Sequence, residues 1–247
     1  MPDVRALNQA TRNLVERYNR KLDTFDATQF LKLGVDPFRF AFNVTNLGTL
    51  RAIEKEIEHK LEMHLENCIG DFHEDYLGNI THAPSDSKWE RIPQGEIPGI
   101  DIANRTLSIY LQVKNKHNSM NSSSSKRLCQ ELESLKKDHP RYKVGAAWII
   151  CGRNQTPTGW RLLEQSNLDL LTLRGRQAYD YVSGHEGEMD KVFARLQLEL
   201  RAERSMGTLN AKKFQTVSRR VRDQLLKMFG STSDDEVIQA MMQASVS

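Results

Sequence analysis

Between Thr49 and Cys151 the hydrophobic period of the chain changes in a fixed order, and that order restricts the fold more than any other feature. Leu50, Ile53, Ile57, Leu61, Leu65, Cys68, Ile69 and Phe72 recur at steps of three and four. This predicts a long helix with Thr49 as its N-cap and Gly78 as its stop. A segment rich in Pro and Gly, His82 to Gly99, then leads into a short strand at Asp101. A second strand-like run, Leu107 to Leu111, delivers Gln112, Val113 and Lys114. Leu128, Leu132 and Leu135 mark the next helix, which His139-Pro140 ends. Lys143 to Cys151 is apolar throughout and of strand length, as a central strand covered on both faces must be. Helix, strand, strand, helix, strand is an α/β core.

The flanks are more polar. Residues 1–33 read as an amphipathic helical arm with Leu7, Leu14 and Tyr18 as its apolar stripe. Asp36-Pro37 breaks that arm, and Phe38, Phe40, Phe42 and Val44 then alternate. Further strands are expected at Trp160–Leu163 and Leu168–Leu173, and helices at Met189–Glu203 and Phe214–Phe229, before a weakly helical tail from Asp234 to Ser247. With 247 residues the chain is long enough for one full core. We therefore expect a single domain over 1–247, with an N-terminal arm (1–48), a catalytic core (49–185) and a helical C-terminal region (186–247).

Composition narrows the function classes. The 35 Lys and Arg against 32 Asp and Glu exclude a histone-like coat and leave only local basic patches as a nucleic-acid footprint. Cys68, Cys129 and Cys151 form no CxxC pair, which argues against a zinc site or a disulfide framework and fits a reducing cytoplasm. No run approaches the roughly 18 apolar residues of a membrane helix, and the first 21 residues lack the apolar stretch of a secretory signal.

The chemistry concentrates in PGIDIANRTLSIYLQVKNK, residues 98–116. Alternation along the second strand puts Gln112 and Lys114 on one face and Val113 on the other. A turn between the strands brings Asp101 beside that pair. A carboxylate, an amide oxygen and an ammonium on rigid strands form a small metal-dependent hydrolytic site. Phosphodiester hydrolysis needs an activated water and a counter-charge for the transition state, and Mg²⁺, held by oxygen ligands, supplies both. Asp101, Gln112 and the backbone carbonyl of Val113 are the expected ligands, and Lys114 the group facing the phosphate. Gln in place of an acid removes one negative charge, so a further carboxylate is sought on the first helix. Glu66, Gly70, His73 and Glu74 share a face there, with Gly70 leaving room for a close neighbour; Glu74 or Glu66 is the candidate.

Next to the strand, Lys116, His117, Asn118, Asn121 and Lys126 carry the donors and acceptors that read base edges. The serines at 122–125 open a helix whose N-terminus suits a phosphate. Arg174, Arg176 and Gln177 form a second candidate patch, and Lys212, Lys213, Arg219, Arg220 and Arg222 a basic helix face. The plainer reading of Trp89, Trp148 and Trp160 is core, of His73 a core or capping histidine, and of Glu54 to Glu66 a solvated helix face.

These residues resemble the PD-(D/E)xK nuclease superfamily, with Gln in the second acidic slot. The block from IGDFHEDYLGNI through PGIDI to YLQVKNKHNSMNSSSSKRL is similar to Type II restriction endonucleases that cut GGNCC or related short palindromes, over roughly residues 50–150. The resemblance implies an αβββαβ core, a mixed central sheet flanked by helices, with helical additions at both ends. It also implies a Mg²⁺-dependent, homodimeric endonuclease acting on double-stranded DNA at GGNCC or GGWCC, with a cognate DNA methyltransferase as genetic partner. Asp101, Gln112 and Lys114 carry over as the catalytic positions. Two other readings stay open: a structure-specific or methyl-directed nuclease with the same core, and a catalytically silent DNA-binding module.

Overall fold

A computed structural model describes residues 3–116, 122–150, 158–209, 211–230 and 233–246. Its elements in chain order are α1 (Val4–Thr24), α2 (Ala27–Lys32), α3 (Pro37–Leu47), α4 (Thr49–Leu77), β1 (Thr81–His82), β2 (Ser87–Lys88), β3 (Glu90–Arg91), β4 (Ile102–Asn104) and β5 (Ile109–Lys116). They continue as α5 (Ser122–Asp138), β6 (Lys143–Ile150), α6 (Thr158–Glu164), β7 (Leu171–Arg174), α7 (Arg176–Ser183), α8 (Glu188–Ser205), α9 (Ala211–Phe229) and α10 (Asp234–Val246). The chain divides into two compact units that interleave in sequence, because α1, α4 and α8 each run from one into the other.

The unit formed by Met1–Leu14 and Ile69–Ala202 holds a five-stranded sheet in the order β3-β4-β5-β6-β7. β3, β4 and β5 are antiparallel neighbours, whereas β5, β6 and β7 run parallel. The sheet is therefore mixed. Helix α5 supplies the crossover from β5 to β6 that a parallel pair requires. Leu128 and Leu132 of α5 and Leu163 of α6 bury against Tyr110, Val144, Ala146 and Trp148. Two of the three tryptophans are thus core: Trp148 is 1% exposed and Trp89 3%. Gly145 is required where β6 meets β7, since a Cβ there would stand 2.1 Å from the Leu171 carbonyl oxygen.

The second unit, Val15–Cys68 and Glu203–Ser247, is helical. Its core gathers Leu22, Phe25, Phe30, Phe40, Ile53, Ile57, Leu61, Val221, Leu225 and Met241. Glu56 is buried there and is matched by a two-pronged bond from Arg39, Nε to Oε1 at 2.9 Å and Nη2 to Oε2 at 2.7 Å.

Three expectations about local structure are corrected. Phe38 to Val44 form a helix: Asp36 caps it by accepting from the Phe38 and Arg39 amides, and Pro37 occupies the first turn. Trp160–Leu163 lie in α6, not in a strand. Leu107 and Ser108 belong to the turn before β5, where Ser108 takes a positive φ of 53°. The long helix from Thr49 ends beside Gly78 as expected, although Thr49 is already its first helical residue and bonds Asp234. Among the described residues no helix is long and apolar enough to cross a membrane.

Candidate active site

The site starts from the register of β4 on β5. Ile102 pairs with Leu111, and the Asp101 amide bonds the Leu111 carbonyl at 3.0 Å, which carries the ladder one step further. Asp101, at the entrance to β4, consequently stands across from Gln112. Its Oδ2 accepts from Gln112 Nε2 and, at 2.8 Å, from the Val113 backbone N–H. Burial pushes the Asp101 carboxyl above its ordinary range; the Lys114 ammonium and these hydrogen bonds pull it back. Gln112 is 7% exposed and Lys114 half-buried. The structure brings together the three residues the sequence singled out.

Glu74, in the last turns of α4, joins them. It lines a cavity of about 860 Å³ together with Asp71, Arg91, Asp101, Gln112 and Glu131. Burial, and then the charge of Asp101, push the Glu74 carboxyl up to about 7, while Arg91 opposes the rise. Glu66 is exposed and belongs to the second unit. His73 does not line that cavity. Its Nδ1 lies 2.7 Å from the Tyr179 hydroxyl, and burial lowers its pKa to about 4, so the imidazole is neutral. A methyl at Gly70 would meet the Asn115 Cβ at 3.7 Å, an ordinary contact, so the neighbour there does not require glycine.

Sequence reading missed Arg91. It sits in a two-residue strand with no periodicity to announce it, yet it bonds three acids of α4. The available signal was Asp71, Glu74 and Asp75 at i, i+3 and i+4, acids on one helix face whose mutual repulsion a cation relieves.

Of the five expected DNA contacts, Lys116 and Lys126 are among the described residues. Lys116 ends β5, opposite Ile150 of β6, and Lys126 is exposed on α5. His117, Asn118 and Asn121 lie outside the described residues. In the second patch Arg174 stacks over Trp160 at 5.5 Å and Arg176 is held by Asp190 at 2.9 Å. On the basic helix face Lys213 pairs with Asp23, Arg222 pairs with Glu54, and Arg220 donates to the Leu22 and Phe25 carbonyls. Those three charges serve the fold of their unit.

Among the described residues no three His, Cys, Asp or Glu side chains gather closely enough to hold a metal ion by themselves. The set that fits a hard cation is all oxygen: Asp101, Glu74, the Gln112 amide and the Val113 carbonyl. Two half-buried carboxylates lining one cavity favour such an ion, since their mutual repulsion is relieved by a positive charge between them.

The sequence profile of the Eco47II restriction endonuclease family matches residues 3–202. The chain belongs to that family. A stretch of 129 residues is 26% identical to the Type II restriction enzyme Sau96I of Staphylococcus aureus, covering 51% of this chain and 46% of the relative. The chain thus spans about half the length of the curated relative it matches. For a member of the Eco47II family, the matched range contains every residue of the cavity described above.

Proposed function

We propose that the protein is a Type II restriction endonuclease with a PD-(D/E)xK core. It hydrolyses DNA phosphodiester bonds within a short palindrome of the GGNCC or GGWCC kind, with Mg²⁺ and as a homodimer. The observation that carries the reading is Asp101 paired across the β4–β5 ladder with Gln112, one step from Lys114 and beside Glu74. The order α4, β3, β4, β5, α5, β6 supports it, since, with the separate β1–β2 pair inserted after α4, it repeats the αβββαβ order with a mixed sheet.

Each side chain has a task. Asp101, fixed at Oδ2 by Gln112 and Val113, holds its carboxylate rigidly towards the cavity. Gln112 contributes a neutral oxygen, Val113 its carbonyl, and Glu74 the charge that Gln112 lacks. These groups would hold Mg²⁺, which when bound acidifies a water and neutralises charge on the phosphate. Lys114 projects from the same strand face as Gln112; its ammonium stabilises charge on the scissile phosphate or orients the attacking water. A cognate methyltransferase protects the host's own sites.

Digesting phage DNA with Mg²⁺ and mapping the fragment ends tests the whole reading. Uniform ends at one palindrome are expected. Cleavage only at junctions or only on methylated DNA would replace it with a structure-specific or methyl-directed nuclease, and binding without cutting with a silent module. Asp101→Ala and Lys114→Ala should abolish cutting while leaving DNA binding largely intact. Near-normal cutting by either variant would reject the residue roles.

A further inference from the structure

Resting on that nuclease reading, we infer that Arg91 is a positioning residue, a forked brace that holds Glu74 in place beside Asp101 so that their two carboxylates can share a cation. Arg91 Nη2 donates to Glu74 Oε2 at 2.6 Å and to Asp71 Oδ1 at 3.2 Å, while Nη1 donates to Asp75 Oδ1. Asp75 is 7% exposed, and its other oxygen accepts from Asn13 Nδ2 at 3.0 Å. It is a fixed anchor for the guanidinium. The backbone of Arg91 is fixed as well: it passes so close to Gly78 that a Cβ there would stand 2.9 Å from the Arg91 nitrogen. Arg91 also pairs with Ile102 in the β3–β4 ladder, the residue that follows Asp101. One side chain therefore joins the helix that carries Glu74 to the strand that carries Asp101.

Two alternatives are less consistent with the geometry. An arginine that clamps the scissile phosphate needs free charge, but this guanidinium is already matched to Asp71, Glu74 and Asp75. A purely architectural arginine does not need Glu74 at all, since Asp75 alone would tie α4 to β3. The bond to Glu74 engages Oε2. A planar fork sets the orientation of that carboxylate in a way a single ammonium does not. Partners behind a metal ligand typically change metal affinity by about 10- to 100-fold when lost.

The test keeps the charge and removes the fork. Arg91→Lys, Glu74→Gln and the double variant are compared with the wild type by calorimetric titration of the DNA-free protein with Mn²⁺, and by the Mg²⁺ dependence of cleavage. Arg91→Lys should weaken Mn²⁺ binding about tenfold and shift the Mg²⁺ requirement upward with little change in KM for DNA. The double variant should bind Mn²⁺ no more weakly than Glu74→Gln alone, because both changes remove one linked device. Asp75→Asn, which loosens the anchor without touching Glu74, should act in the same direction and serves if Arg91→Lys does not fold. Wild-type Mn²⁺ affinity in Arg91→Lys, or strictly additive losses, would overturn the inference while leaving the nuclease reading intact. A raised KM for DNA with an unchanged metal requirement would reassign Arg91 to the phosphate. A wild-type protein that binds no Mn²⁺ and cuts no DNA would remove both.

Discussion

Gln112 is the residue at which this site departs from an all-acid arrangement, and the departure has a local cause. Its amide donates to Asp101 Oδ2 from a position that is 7% exposed, so a neutral donor offsets part of the burial that pushes this carboxyl above its ordinary range. Gln112→Glu replaces that bond with two facing carboxylates. The cation-free variant should lose about 1–3 kcal/mol of stability, and Mg²⁺ should restore most of it. Thermal melts with and without the ion check this; equal losses in both conditions would count against a shared cation. His73 governs a different quantity. Burial depresses its pKa to about 4, whereas the unfolded chain titrates near 6.5. The unfolded state therefore takes up a proton first as pH falls, and stability present above pH 6.5 is lost progressively down to about pH 4. The slope approaches about 1.4 kcal/mol per pH unit in that window. His73→Gln should flatten this stretch of the stability–pH curve, as denaturant midpoints would show. At the end of β5 and just beyond it in sequence, Lys116→Ala or Asn118→Ala should cost about 1–3 kcal/mol of discrimination at one base position if each reads a base, and a uniform loss across sequences would make it a phosphate contact.

Elements differ in how far their sequence announces them, and the reason is periodicity against length. Helix α4 was legible because its 29 residues repeat one apolar stripe many times over. Helix α3 was not, because its aromatics occupy two faces at once: Phe40 and Val44 are buried one turn apart, while Phe38 and Phe42 are exposed one turn apart. Interleaved, the two faces imitate a strand. Helix α6 is seven residues with one apolar cluster, too short to show any period. Asp101, Gln112 and Lys114 were legible because they sit on adjacent strands, where spacing and register are nearly the same statement. Arg91 was not, because its meaning depends on α4 acids 16 to 20 residues away. The junction of α4 with β3 yields its own prediction. A methyl at Gly78 would stand 2.8 Å from the Glu74 carbonyl and 2.9 Å from the Arg91 nitrogen, both backbone atoms that cannot rotate aside. Gly78→Ala should therefore cost about 1–3 kcal/mol and lower cleavage more than its stability loss accounts for, since it parts the strand from the helix at the site. Cleavage measured well below the melting temperature separates the two effects.

At the scale of the whole molecule the argument turns on symmetry and charge. The chain carries a formal net charge of +3, too little to bind DNA by charge alone, and the cavity sets Asp71, Glu74, Asp101 and Glu131 against only Arg91 and Arg127 at its walls. A phosphate approaching that cavity meets negative potential until a divalent cation compensates it. Chelation should consequently weaken binding at the recognition site as well as stop cutting. Ca²⁺, a hard cation with the same preference for oxygen ligands, should restore binding. A palindrome adds the second condition. One copy of the site described here addresses one scissile phosphate, so a symmetric double-strand break requires two copies related by a two-fold axis. Sedimentation of the protein with a short cognate duplex and Ca²⁺ should give a complex of mass equal to two chains per duplex. With Mg²⁺, supercoiled plasmid should pass directly to linear product without an accumulating nicked form. A complex of one chain per duplex, with nicked circles as the main early product, would mean that each copy acts alone and that the palindromic, homodimeric part of the proposal is wrong.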